Sequence, residues 1–173
     1  MKNKSETAVH NIEPVWDVDS RILILGSFPS VKSREAAFFY HHSQNRFWKV
    51  LAQLTEDTLP ETIEEKKDFL LRHHIAVWDV IASCTITGSS DASIRDVVPN
   101  PVEKLLKETQ IGQIFVNGKT AERMYKRYLQ DICGQEAVVL PSTSPANAAW
   151  RLPDLVNAWT EAVERTVGME SLK

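Results

Sequence analysis

At 173 residues, with 43% hydrophobic and 25% charged side chains, the chain has the size and composition of one compact domain, and two independent domains would be a squeeze. Lys and Arg number 20 against 23 Asp and Glu, a net charge of −3, which excludes a body basic enough to coat nucleic acid indiscriminately; any such contact needs a local patch. Cys84 and Cys133 cannot supply a four-thiolate metal site or a secreted disulfide framework, and no apolar run approaches a signal core or the roughly 20 residues of a membrane span. The expectation is a soluble, cytoplasmic, single domain over 1–173 without membrane contact, its ends at 1–18 and 168–173 peripheral or frayed.

Along the chain, strand-length apolar blocks at 22–25, 75–78, 114–116 and 137–140 alternate with helix-period segments. Blocks that are apolar on both faces point to a buried parallel sheet, and the alternation to a three-layer α/β/α sandwich around four strands. After the first block, Phe47, Val50, Leu51 and Leu54 recur at i, i+3, i+4 and i+7, with Asn45 or Ser43 available as the cap. The charged stretch 61–72 reads as a surface helix anchored by Ile63, Phe69 and Leu70, and Pro101 opens a short helix ahead of Val102, Leu105 and Leu106. Ala121, Met124, Tyr125 and Tyr128 mark a crossover helix over 119–129. The last helix starts near Pro153 with Val156, Trp159 and Val163 inward, and the chain frays from Gly168.

Open parallel sheets bind ligands beyond the carboxyl ends of their strands, so the segments after the four blocks are where chemistry is sought. These are 26–30 (GSFPS), 79–84 (DVIASC), 117–119 (NGK) and 141–147 (PSTSPAN). The first suits a tight turn with exposed backbone amides, and it continues into FFYHHSQNRFW, where aromatic faces that stack on bases sit beside amides that read base edges. The last combines two stiffening prolines with three hydroxyl residues suited to phosphate oxygens, although the same residues also cap helices. Neither GxGxxG nor a P-loop is present.

Taken in order, GSFPS, FYHHSQNRFWKVLAQL, VWDVIASC, SSDASIRD, FVNGKTA and LPSTSPANA resemble the uracil-DNA glycosylase superfamily, and most closely its hypoxanthine-DNA (DNA-deoxyinosine) glycosylase branch. NRFWKV is also similar to the mismatch-specific uracil/thymine branch. The resemblance implies a monofunctional enzyme that flips a deaminated nucleotide out of double-stranded DNA and hydrolyses its N-glycosidic bond, as a monomer and without a metal or other cofactor. Many relatives carry a water-orienting Asp or Asn where this chain has Phe28, and the substitute maps to Asn45; Asn45 and Ser27 are thus the catalytic candidates. The amide of Asn45 can hold water through its carbonyl and donate to a base through its nitrogen, or it can simply cap the next helix. Phe28, Phe39, Tyr40, His42, Asp79 and Asn117 are candidate base contacts, with Phe39 or Tyr40 as the stacking ring. Ser142, Thr143, Ser144, Ala146 and Asn147 map onto the loop that grips DNA, where Ala146 is small for a wedge and Trp150 is an alternative. Arg46, Lys119 and Arg151 supply local positive charge. A uracil-preferring or mismatch-specific enzyme, and a non-catalytic module that binds damaged DNA, remain open at this point.

Overall fold

The computed structural model describes residues 5–9, 12–87 and 91–173. Ser89 and Ser90 of the SSDASIRD string lie outside the described residues. The first strand, β1 (Ser5–Val9), leads through Ile12 and Val15, both buried, to β2 (Ile22–Gly26). Helices α1 (Val31–Ala36), α2 (Phe47–Thr55) and α3 (Ile63–Arg72) follow, and then β3 (Ile75–Asp79), β4 (Ile81–Thr87) and β5 (Arg95–Pro99). Helix α4 (Val102–Lys107), β6 (Gln113–Asn117), α5 (Lys119–Tyr128), α6 (Gln130–Cys133), β7 (Ala137–Leu140) and α7 (Leu152–Thr166) complete the order.

All four apolar blocks become strands of one parallel sheet, ordered β3-β2-β6-β7. Because successive strand side chains point to opposite faces, β2 divides its apolar residues between two cores. Ile22 and Ile24 pack with Phe47, Trp48, Phe69, Leu155 and Trp159 of α2, α3 and α7. Leu23 and Leu25 pack with Val102, Leu105, Ala121, Met124 and Tyr125 of α4 and α5. The three-layer α/β/α sandwich follows from that division. Thr62 caps α3 by accepting from Glu65 N at 3.0 Å, and the left-handed Glu56 ends α2. The inner face of α7 is Leu155, Trp159, Ala162 and Val163, one position off the expected start at Val156, which is only partly buried.

Three expectations change. Residues 79–84 are not a loop: Asp79 ends β3 and Ile81–Thr87 is the central strand of a second, antiparallel sheet, β1-β4-β5. The turn between the sheets is fixed by Val80 N donating to Gly26 O at 2.8 Å and Ile81 N to Ser27 O at 3.0 Å. Of the amino-terminal residues, Ser5–Val9 pair with β4 and Val15 is bridged to Val77. The tail does not fray, since Met169–Leu172 forms a 3-10 turn with Leu172 buried. The Leu172 carbonyl meets His73 Nδ1 at 2.7 Å, and the other nitrogen of that ring meets Asp57 Oδ2 at 2.8 Å. Among the described residues, no helix is long and apolar enough to cross a membrane.

Candidate active site

A cavity of about 530 Å³ opens at the carboxyl ends of the parallel strands, walled by the loops after β2, β6 and β7 and by Asp79 at the end of β3. Ser27, Phe28, Phe39, Tyr40, His42, Asn45, Asp79, Asn117, Lys119, Ser142, Thr143, Ser144 and Ala146 all line it. Residues up to 120 positions apart in sequence are thus gathered at one edge of the sheet. Arg46, Asn147 and Arg151 are not among the lining residues.

The floor is set by Gly26. A Cβ there would lie 2.3 Å from Asp79 Oδ1 and 3.0 Å from Tyr40 Oη, so only glycine lets the carboxylate and the phenol close over the end of β2. Asp79 is buried, and its backbone carbonyl accepts from Asn100 Nδ2 at 2.9 Å. The aromatic wall comes from the segment before α2. Phe39 is 1% exposed, edge-on to Phe38 with centroids 5.7 Å apart. Tyr40 stacks on Phe47 at 3.9 Å and 17°, an arrangement that already covers one face of its ring. Phe28 also lines the cavity, partly exposed, with the Arg34 guanidinium 5.4 Å from its ring centroid.

Asn45 is held by residues distant in sequence. Its Oδ1 accepts from Phe47 N at 3.0 Å and from the Thr143 hydroxyl at 2.8 Å. Thr143 is in turn gripped by Asn117, which donates Nδ2 to Thr143 Oγ1 at 3.0 Å and accepts from Thr143 N at 3.1 Å through Oδ1. Two donors fill the two lone pairs of the Asn45 carbonyl. It therefore has no acceptor site left for water, and among the described residues the uncommitted end of the side chain is Nδ2. Asn45 does serve the start of α2, as a cap would, and it is wired into the cavity as well. His42 Nδ1 accepts from Gln44 N at 3.1 Å, so the neutral ring carries its proton on Nε2 and is a donor there.

The loop after β7 is shaped by Arg46. Its guanidinium donates to the backbone carbonyls of Ser144 (2.7 Å), Asn147 (3.1 Å), Thr143 (3.4 Å) and Trp150, while its backbone N donates to Thr143 O at 3.1 Å. Four of the five N–H donors of the guanidinium are thus committed to carbonyls, so Arg46 braces the loop and keeps no pair of donors for a bidentate phosphate contact. Thr143 is fully buried and spends its hydroxyl on Asn45, which removes it too from the DNA-facing set. Asn147 donates Nδ2 to Ser142 O at 3.0 Å, bracing the same loop. Ser142 and Ser144 accept from Ser144 N (3.1 Å) and Ala146 N (3.2 Å), which leaves both hydroxyl protons uncommitted among the described residues. Trp159 Nε1 to Pro141 O at 2.9 Å ties α7 to the loop's start. Lys119, at the cavity rim, and Arg151, at the start of α7, are exposed and have no ion pair among the described residues.

Several wall residues carried no signal in the sequence. Ser33 and Arg34 come from α1, Ile86 from β4 and Ile94 from the segment before β5. Ile86 and Ile94 reach the cavity only because the antiparallel sheet folds against the parallel one.

The sequence model of the uracil DNA glycosylase superfamily matches residues 14–164. A protein from Methanosarcina acetivorans named hypoxanthine DNA glycosylase is 35% identical over 135 residues, covering 77% of this chain and 84% of its own. One of the same name from Methanosarcina barkeri is 32% identical over 155 residues, 88% and 96% of the two chains. A solution NMR structure from Methanosarcina acetivorans, described provisionally as a uracil DNA glycosylase, superposes with a TM-score of 0.75 at 31% identity, covering 89% of this chain and 94% of that one. The chain belongs to the uracil DNA glycosylase superfamily. The class of enzyme that fold and family define is DNA glycosylase.

Proposed function

We propose that the protein is a monofunctional glycosylase that takes a deaminated nucleotide, chiefly deoxyinosine, out of duplex DNA and hydrolyses its N-glycosidic bond, acting as a monomer without metal. The observation that carries this reading is the locked carboxamide of Asn45. Two donors fix its carbonyl, so its amide nitrogen is a pre-oriented donor in a cavity walled by Phe28, Phe39 and Tyr40. The relatives named hypoxanthine DNA glycosylase support the choice of base.

The chemistry follows from charge. As the bond from C1′ to the base nitrogen breaks, its electron pair leaves with the base, and donors aimed at that base lower the barrier because they need no reorganisation. Asn45 Nδ2 and His42 Nε2–H are those donors. The sugar, left electron-poor, takes the oxygen of water, whose proton neutralises the departing base. With Phe28 apolar and the Asn45 carbonyl already occupied, the Ser27 hydroxyl at the cavity wall is the group assigned to hold that water. Ser142 and Ser144 present donors to phosphate oxygens, and Lys119 and Arg151 add the positive charge that the acidic average lacks.

Duplexes carrying hypoxanthine, uracil or xanthine, incubated with the protein and then treated with alkali, test the reading. Expected is an abasic site that breaks only after alkali, fastest from hypoxanthine and unaffected by chelator. Tight binding of the lesion duplex with no abasic product would make the protein a binding module. Strand breakage without alkali would mean lyase chemistry, and loss with chelator reversed by a divalent ion would mean a metal enzyme.

A further inference from the structure

Tyr40 combines backbone strain with a buried phenol proton that has no acceptor among the described residues. Its φ of 49° is left-handed, a conformation that a bulky aromatic adopts only where the surroundings impose it. They do so here. Phe47 covers one ring face at 3.9 Å, and Trp48 Nε1 holds the Tyr40 carbonyl at 3.2 Å. The result is a hydroxyl on the cavity floor, above the bare Cα of Gly26. That Oη is fully buried, and its proton has no acceptor within hydrogen-bond distance among the described residues, a state that folded proteins seldom keep without a use. Burial, and next the charge of Asp79, push the phenol well above its ordinary pKa, so it keeps a proton to give. The amide of Asn117 acts in the opposite sense, as a donor beside the phenol oxygen.

We infer, resting on the glycosylase reading above, that Tyr40 reads the extruded base with its hydroxyl and not with its ring, donating to the carbonyl oxygen that deamination leaves on the base. Deamination exchanges an exocyclic amine for a carbonyl, turning a donor into an acceptor at one position. A phenol with an amide donor beside its oxygen and a proton to place suits the carbonyl. The amine of the parent base brings donor against donor, and a buried polar group left unpaired discriminates strongly. The stack on Phe47 occupies one face of the Tyr40 ring, and Phe28, partly exposed on the cavity wall, is the ring left to contact a face of the base.

Tyr40→Phe keeps the ring and its stack and removes one oxygen. Expected is a melting temperature close to that of the unsubstituted protein, because the lost hydroxyl gave its proton to no partner, with single-turnover release of hypoxanthine slowed about 10- to 100-fold. A duplex carrying unsubstituted purine, with hydrogen in place of the 6-oxygen, removes the other half of the contact. The unsubstituted protein should release purine more slowly than hypoxanthine, and Tyr40→Phe should slow purine release little further, a non-additivity that a purely structural role for the oxygen would not produce. Equal release of hypoxanthine by Tyr40→Phe and the unsubstituted protein, or full additivity of the two deletions, overturns the assignment of Tyr40 and leaves the glycosylase reading intact. Equal release of purine and hypoxanthine by the unsubstituted protein also overturns it, and that arm needs no variant. If the unsubstituted protein releases no base at all, the glycosylase reading fails and this inference falls with it.

Discussion

Replacing Asn45 separates its two jobs, because the side chain has two chemically different ends. Asn45→Asp keeps an oxygen where Oδ1 now accepts from Phe47 N and from the Thr143 hydroxyl, so the start of α2 and the buried Thr143 keep their partners. What disappears is Nδ2, replaced by a second acceptor that carries negative charge opposite a base that is itself becoming negative. Loss of one oriented donor from a water-poor site costs about 10²- to 10³-fold in rate, and the added charge works in the same direction. Asn45→Ala removes both ends. The missing acceptor at the helix start costs about 1 kcal/mol, and the stranded, fully buried Thr143 hydroxyl costs about 1–3 kcal/mol more. The expected pattern is an Asp variant that melts near the unsubstituted protein and an Ala variant that melts clearly lower, both slow in single-turnover release of hypoxanthine at saturating enzyme. An Asp variant that cleaves at the unsubstituted rate would refute the donor role and return Asn45 to being a structural residue.

The remaining expectations test other parts of the structure. Arg46→Ala should loosen the loop over 142–150 and weaken duplex binding while leaving the slope of log affinity against log salt unchanged, since its guanidinium holds carbonyls and not phosphate; a slope smaller by about 0.9 would show a released counterion and a phosphate contact. Lys119→Ala and Arg151→Ala should each reduce that slope by about 0.9 if they meet phosphates, measured by titrating labelled duplex at several salt concentrations. Gly26→Ala should abolish base release and lower the melting temperature, because its Cβ would lie 2.3 Å from Asp79 Oδ1; retained activity would mean that the floor of the cavity can yield. The Asp57 carboxyl is lowered from 3.8 to about 2 by hydrogen bonds from His73, the backbone of Thr58 and Arg72. A carboxyl whose pKa is lower folded than unfolded contributes stability above the unfolded value and loses it as pH falls toward the folded one. Melting temperature should therefore drop between about pH 4 and pH 2, and Asp57→Asn should flatten that part of the decline.

Much of the architecture was legible because hydrophobic periodicity is a local property of the chain. The blocks that became β2, β3, β6 and β7 are apolar on both faces because helices cover both sides of the sheet, and an unbroken apolar run is the mark of that burial. The helix at 47–55 announced itself through Phe47, Val50, Leu51 and Leu54, all buried. Once strands were assigned, the rule that parallel sheets bind at their carboxyl ends directed attention to the loops that do wall the cavity.

Only the tertiary structure could decide what depends on partners far away in sequence. IASCTIT reads as a loop after a strand, because a half-buried antiparallel strand shows weak alternation and its partners are β1, over 70 residues earlier, and β5. The tail at Met169–Leu172 looks too short to hold itself, and it is held instead by His73, 99 residues away. Within the site, residue type gives Asn45 an amide and Arg46 a charge, but not the direction in which either is used. Thr143, 98 residues on, takes the Asn45 carbonyl and leaves its nitrogen for the cavity, and the carbonyls of the same loop take the Arg46 guanidinium. A side chain's chemistry is fixed by its identity; which of its hydrogen-bonding groups remain for function is fixed by whatever the fold brings to the others.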